Sequence, residues 1–379
     1  MSLQEKVSAI EKSLNDYMVE RRDPTRALII AWVLQEHLFL FGPPGTGKTL
    51  LGEALRACVT GTRSCYRLAH RFMTADELVG PMDLGVFQKE HRFVRNLKGG
   101  IADVEFAFLD EVFKANSAVL NTLLPILNER RLDESTKIPL RTCISASNEF
   151  PADETLGALY DRFLLRERVE YIKSERNKIA LLQRVSTKSK AAQAFVPPVQ
   201  VSIDEWDAIT KAVDQVTIPE PVLQALVKLE KELAKQNVFV SDRRSVQALR
   251  VLKAEAWLEG ETEASVDSIQ ALRYVYWNTL KEQESLHTIL AALDRSITGE
   301  VLAVLDGAIS KWELRPTDTG ELRARLPELE RAVNVALADA RGRAEKLGKR
   351  AKAKVAERGK ELRSIHDEIK GLLRAQYNL

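Results

Sequence analysis

The sequence predicts an α/β domain built on a parallel sheet, followed by segments made of helix alone. Three observations carry this. Short apolar runs at 37–41, 66–68, 105–109 and 142–146 alternate with helical stretches. A glycine-rich turn, GPPGTGKT, joins the first run to a helix. Strand signals then stop near residue 175, and spacings of three and four take over.

Taken in order, residues 3–20 and 25–35 have helical periodicity, and Asp23-Pro24 between them reads as an N-cap with proline in the first turn. The most apolar run, ALIIAWVLQEHLFLFG at 27–42, is broken by Gln35, Glu36 and His37. It is too short for a bilayer and reads as a buried helix end entering a buried strand. A helix is expected from Thr49 to about Cys58, and another over 115–128. The stretch 80–103 is long for a strand-to-strand link, and RLDESTKIP at 131–139 reads as a second hairpin. Both read as surface hairpins, either quiet or in contact with another protein.

GALYDRFLLRERVEY, residues 157–171, has mostly the pattern of a core-packing segment. Arg162 lies within it, close to the apolar face, and a buried guanidinium needs a partner. Glu154 and Asp161 are the local choices. A group on another molecule is the alternative.

Residues 175–278 read as helices punctuated by Pro197-Pro198 and Pro219-Glu220-Pro221. Beyond them an apolar stripe runs from Leu286 through Leu290, Leu293, Ile297, Val301 and Leu305 to Trp312. After the turn RPTDTG a second stripe runs from Leu322 through Val333, Ala344, Leu347, Ala351 and Leu362 to Leu372. At about 1.5 Å per residue the second helix would reach on the order of 70 Å. Two such helices make an antiparallel hairpin. The expected domains are therefore an α/β core at 1–172, a helical lid at 173–278 and a hairpin extension at 279–379.

Composition restricts the function classes only mildly. Of 379 residues 45 % are hydrophobic and 29 % charged, and a net charge of +2 selects no partner. Cys58, Cys65 and Cys143 show neither metal-ligand nor disulfide spacing and read as small buried hydrophobes in a reducing compartment. The amphipathic N-terminus has no apolar signal core, so a cytoplasmic protein without membrane insertion is expected. The second terminal helix carries ten Lys or Arg against three acids between Arg341 and Arg363. That is a solvated face, or a surface for an acidic partner or nucleic acid. No aromatic residue interleaves with the charges, which argues against single-strand binding.

The chemistry concentrates in three stretches. GPPGTGKT fits the phosphate-loop pattern G-x-x-x-x-G-K-[ST] in full. Gly42, Gly45 and Gly47 allow a tight turn, with Pro43, Pro44 and Thr46 between them. Lys48 reaches terminal phosphates, the Thr49 hydroxyl ligates magnesium, and Leu50 continues into a helix whose positive end faces the anion. FAFLDE, about 60 residues on, delivers Asp110 to hold the metal and Glu111 to orient water at the carboxyl end of a strand. CISASNEFP ends a further strand at Asn148, which by itself is only an Asn-containing turn.

Together these pieces resemble an AAA+ ATPase of the MoxR family, most closely its RavA branch. FGPPGTGKT, FLDEVFKANSAVLNTLLPILNERRL, ASNEFP, ALYDRFLLR and SDRR carry the likeness, over residues 20 to about 280. The resemblance implies a P-loop α/β domain with a helical lid, assembled into rings that are usually hexamers, and ATP with Mg2+ as cofactors. It implies that Asn148 is the polar sensor and that Arg162 is the arginine finger reaching a neighbour's γ-phosphate, with Arg166 the fallback. It places the lid's sensor arginine at Arg243, or else Arg244. It also implies a partner with a von Willebrand factor A domain, a pore-facing insertion at 80–103 and a client protein to be remodelled. The β-rich module that RavA carries between its terminal helices is replaced here by RPTDTG. A nucleic-acid-acting ATPase and a nucleotide-gated scaffold are the competing classes.

Overall fold

The computed structural model describes residues 1–379 except 135, 152–153, 188–193, 317, 345–346, 348 and 378–379. It also leaves out the side chains of 154–155, 187, 294–298, 300, 349–350 and 376–377. Ile297 of the first stripe, Glu154 as a partner for Arg162, and part of the basic stretch therefore lie outside the described side chains.

In chain order the elements are α1 (Leu3–Tyr17), α2 (Arg22–Leu34), β1 (Leu38–Phe41), α3 (Lys48–Ala57), β2 (Val59–Thr60), β3 (Ser64–Leu68), α4 (Ala75–Val79) and α5 (Leu84–Glu90). Then come β4 (Phe106–Asp110), α6 (Ser117–Glu129), β5 (Thr142–Ser147), α7 (Glu154–Tyr160), β6 (Leu165–Arg168), α8 (Glu175–Thr187), β7 (Val201–Ser202) and α9 (Ile203–Asp214). Helices complete the chain: α10 (Glu220–Lys235), α11 (Asp242–Leu258), α12 (Leu280–Glu313), α13 (Thr319–Ala344) and α14 (Lys349–Tyr377). No helix among the described residues is long and apolar enough to cross a membrane.

The main sheet has the order β3-β4-β5-β1-β6, every pair parallel. β6 is a strand where the sequence suggested only a core segment. Its Arg166 and Glu167 mask the apolar run, yet both are buried. The Arg166 guanidinium stacks 3.9 Å from the Tyr160 ring centre, donates to the Tyr160 carbonyl at 3.0 Å and lies 3.8 Å from the Asp161 carboxylate. The fully buried guanidinium of this segment is therefore Arg166. Arg162 sits half-buried in the turn between α7 and β6. A second correction concerns α2, which starts at Arg22 after Arg21, so that Asp23 and Pro24 both lie in its first turn.

The chain packs as two compact units, residues 1–216 with 242–260, and 217–241 with 261–379. These differ from the expected cuts at 172 and 278 for identifiable reasons. α9 and α11 belong with the sheet because each is anchored on α2. The Trp206 indole of α9 donates to the Trp32 carbonyl at 2.6 Å. Buried Arg26 of α2 is clamped by Glu11 of α1 at 2.8 Å, Glu255 of α11 at 2.9 Å and Glu259 just beyond it at 2.8 Å. α10 packs instead on α12 and on the 3-10 segment Val266–Tyr274.

The second stripe does not form one long helix. α13 and α14 are separate and both pack on α12 and on each other, giving a three-helix bundle in place of the expected hairpin. Their shared core holds Leu305, Trp312, Leu326, Val333, Leu347, Val355 and Leu362. The apolar spacing Ala340, Ala344, Leu347, Ala351 runs through the break without a fault. Periodicity cannot see a turn that returns the same stripe to the same core.

Removing the clamp should unfold the first unit readily. Arg26→Ala strands the buried Glu255 carboxylate and should cost roughly 3–5 kcal/mol, read as a lower urea midpoint with an unchanged slope.

Candidate active site

The phosphate loop follows β1 and is held by its neighbours. The Gly42 amide donates to the Ser147 carbonyl at 3.1 Å. A Cβ at Gly42 would lie 2.1 Å from the Val169 carbonyl oxygen, so only glycine fits there. Gly45 and Gly47 have φ of +75° and +85°, and Gly47 opens α3. Two side chains the sequence did not single out brace the loop from outside. The Arg21 Nε donates to the Thr46 carbonyl at 3.2 Å, and the Tyr171 hydroxyl to the Pro44 carbonyl at 3.2 Å. Thr46 itself donates to the Pro43 carbonyl at 2.9 Å. The Lys48 ammonium is buried and donates to the carbonyls of Gly42 at 2.7 Å and Pro43 at 3.0 Å. Burial holds its pKa below the usual lysine range, against the pull of Asp110 and Glu111. Leu50 lies in the first turn of α3 and is exposed.

β4 brings its carboxylates to this loop. One Asp110 oxygen, Oδ2, accepts from the Thr49 hydroxyl at 3.1 Å and from the Tyr66 hydroxyl at 3.1 Å. The other, Oδ1, accepts the Glu111 amide at 3.1 Å. Burial and the adjacent Asp110 carboxylate push the Tyr66 phenol up to about 12. Glu111 has φ +54°, a left-handed backbone that costs a non-glycine residue on the order of 1–3 kcal/mol and marks functional turns. Its Oε2 is buried and makes no hydrogen bond among the described residues; Lys114 Nζ lies 3.3 Å away as a charge contact only. Asn148 follows β5, the strand between β4 and β1, so it sits between the acidic pair and the loop. Its Oδ1 is buried without a hydrogen-bond partner among the described residues.

Arg162 and Arg243 are elsewhere. They line a polar cavity of about 340 Å³ with Gln35, Glu36, Asn128 and Arg250. Gln35 and Glu36 precede β1, whereas the phosphate loop follows it. The length of that strand, roughly 13 Å at about 3.3 Å per residue, separates the two sets. Arg243 donates to Asn128 Oδ1 at 2.9 Å, and Arg250 donates to the Leu34 carbonyl at 3.0 Å and pairs with Glu36. The Arg162 Nε is buried with no hydrogen-bond partner among the described residues. Arg244 is engaged by Asp161 at 3.1 Å. The structure thus gathers Lys48, Thr49, Asp110, Glu111 and Asn148 at one end of β1, and Arg162 with Arg243 at the other.

Residues 5–205 match the family model for the MoxR domain of MoxR-vWA-beta-propeller ternary systems. Two uncharacterized proteins of Methanocaldococcus jannaschii, MJ0079 and MJ0812, are 35% and 34% identical to the chain. The first covers 73% of this chain and 71% of its own length, the second 71% and 70%. The chain belongs to the MoxR family of AAA+ ATPases.

An AAA lid model covers residues 221–290 of this MoxR protein. The crystal structure of a candidate ATPase from Cytophaga hutchinsonii superposes with a TM-score of 0.61 at 19% identity, over 76% of this chain and 94% of that one, and shows a shared fold. The RuvB subunit of the Holliday junction branch migration complex from Parasynechococcus marenigrum is 27% identical over 37% of this chain and 38% of its own.

The residues present suit a nucleotide with magnesium. Thr49 and Asp110 offer hard oxygen donors beside a buried lysine, and Asn148 and Glu111 hold buried oxygens not yet hydrogen-bonded. No cluster of three His, Cys, Asp or Glu occurs among the described residues. Mg2+ takes one or two protein ligands and shares the rest with phosphate and water, and Thr49 and Asp110 could supply those two. Gly42→Ala, which must displace the Val169 carbonyl, should remove ATP binding in a fluorescent-analogue titration. It should also lower stability by roughly 1–3 kcal/mol, the usual cost of overpacking.

Proposed function

We propose that this MoxR ATPase hydrolyses ATP with Mg2+ at sites completed between subunits of a ring, and spends the cycle on remodelling or activating a protein partner. The observation that supports this is the separation of the arginine pair from the phosphate loop on one compact unit. Arg162 keeps a buried Nε without a hydrogen-bond partner among the described residues, and Arg243 lines the same cavity. An arginine so placed serves a neighbour's nucleotide better than its own.

In this reading Lys48 binds the β- and γ-phosphates, and Gly42 to Leu50 wrap them. Thr49 and Asp110 hold the metal, which when bound neutralises charge on the phosphates. Glu111 orients the attacking water and Asn148 hydrogen-bonds it or the γ-phosphate. Arg162 supplies positive charge from the next subunit, an effect worth roughly 10³–10⁵ in rate in related phosphoryl transfers. Arg243 acts with it, across the interface. Arg244 is the weaker choice because Asp161 holds it.

The match to MoxR-vWA-beta-propeller systems supports a partner with a von Willebrand factor A domain. We take that system, rather than the RavA branch, as the guide to partners. Nucleic acid as the target gains little support. Two of the ten cations of the basic stretch, Arg343 and Arg358, pair with Asp339, Asp306 and Glu361.

Mixing decides the shared site. Lys48→Ala and Arg162→Ala subunits should each be inactive alone and regain turnover when combined, measured as phosphate release. No recovery in rings shown to be mixed sinks the proposal. Glu111→Gln should bind ATP within about threefold of the parent while turnover falls on the order of 10²-fold or more, and partner function should fall with it.

A further inference from the structure

Asp110 carries more hydrogen bonds than its place on β4 requires. Thr49 of the phosphate loop and Tyr66 of the edge strand β3 both donate to the same oxygen, Oδ2, at 3.1 Å. The register aligns β3 with β4 so that Tyr66 lies opposite Phe108, two residues before Asp110. The Tyr66 ring stacks on Phe108, with centroids 5.8 Å apart and planes 16° from parallel. The phenol is thus carried on a flat aromatic base with its hydroxyl directed at the carboxylate. The Glu111 amide occupies Oδ1 from the other side.

We propose that Tyr66 is a positioning residue for the metal-holding carboxylate. Its hydroxyl fixes the rotation of Asp110, so that the carboxylate is set before nucleotide and Mg2+ arrive. The Thr49 hydroxyl can keep its hydrogen bond to Asp110 while offering a lone pair to the metal, and Tyr66 adds a second restraint that owes nothing to the metal. A carboxylate that swings freely must lose that freedom on binding, at a cost in metal affinity. Among the described residues Tyr66 is hydrogen-bonded to Asp110 and stacked on Phe108, not hydrogen-bonded to Lys48 or the loop glycines, so binding of metal-free nucleotide should be indifferent to it.

The inference rests on the proposed magnesium and nucleotide reading of this site. Tyr66→Phe is the test, since it keeps the ring and its stacking and removes only the hydroxyl. A fluorescent ATP analogue is titrated in EDTA and then against rising Mg2+. In EDTA the variant should bind within about twofold of the parent. The Mg2+ concentration that gives half of the metal-dependent change should rise about fivefold, roughly the worth of one hydrogen bond. At saturating Mg2+ turnover should return to within about twofold of the parent, as expected of a group that acts through Asp110. An unchanged Mg2+ midpoint in Tyr66→Phe, with a clear metal response in the parent, overturns the role of Tyr66 and leaves the site reading intact. A parent whose nucleotide binding ignores Mg2+ overturns both.

Discussion

Strand β1 is hydrogen-bonded on both sides, to β5 through Leu38↔Ile144 and to β6 through Leu38↔Leu165, and the site is built outward from that constraint. Four residues of backbone cannot shift when both edges are paired. The segments at either end of the strand are therefore fixed as well. At one end Gly42 is pressed against the Val169 carbonyl and tied to Ser147. At the other, buried His37 accepts the Cys143 amide at 3.0 Å on Nδ1 and lies 2.9 Å from the Leu127 carbonyl on Nε2. Burial, and then the nearby Arg130, hold its pKa well below the usual histidine range, so it serves as a neutral hydrogen-bonding pin. The glycine-rich loop after β1 and the cavity that Arg162 lines are thus fixed to the two ends of one paired strand.

Several buried polar atoms in the first unit make no hydrogen bond among the described residues, and three of them belong to the candidate site. Glu111 Oε2, Asn148 Oδ1 and Arg162 Nε are each buried without a hydrogen bond among the described residues. A buried polar group left unpaired costs about 1–3 kcal/mol, and the left-handed turn at Glu111 adds to that. Such costs persist only where surrounding structure imposes them. For these three the imposing structure is the sheet and its turns, and in the proposed reading they serve a phosphate, a water and another subunit.

Much of this was legible in the residues. The strands at 38–41, 106–110 and 142–147 arise from apolar runs bounded by turn chemistry, and the phosphate loop from its glycine spacing. The features that stayed hidden were long-range. Arg166 looks like a surface charge until β6 pairs with β1 and Tyr160 covers it. Tyr66 carries no motif, because its role comes from lying opposite Phe108 across a parallel pair. The break between α13 and α14 leaves the apolar stripe unbroken and so leaves no trace in periodicity. Arg21 and Tyr171 act through backbone carbonyls of the loop, a kind of contact with no residue-type signature.

The placement of Arg243 has the widest consequence. A sensor on a separate lid would report nucleotide by moving relative to its own phosphate loop. α11 has no such freedom here, because Glu255 is held to Arg26, which α1 also grips through Glu11. Trp206 on α9 is locked to Trp32 in the same unit. Arg243 therefore travels with Lys48 and with Arg162 as one body. A group that cannot move relative to its own nucleotide site has little to report about it. In the proposed ring Arg243 would sense the nucleotide of another subunit, in company with Arg162. There the Arg26 clamp, which touches none of the phosphate-loop residues named above, would be the feature that ties the chemistry to assembly.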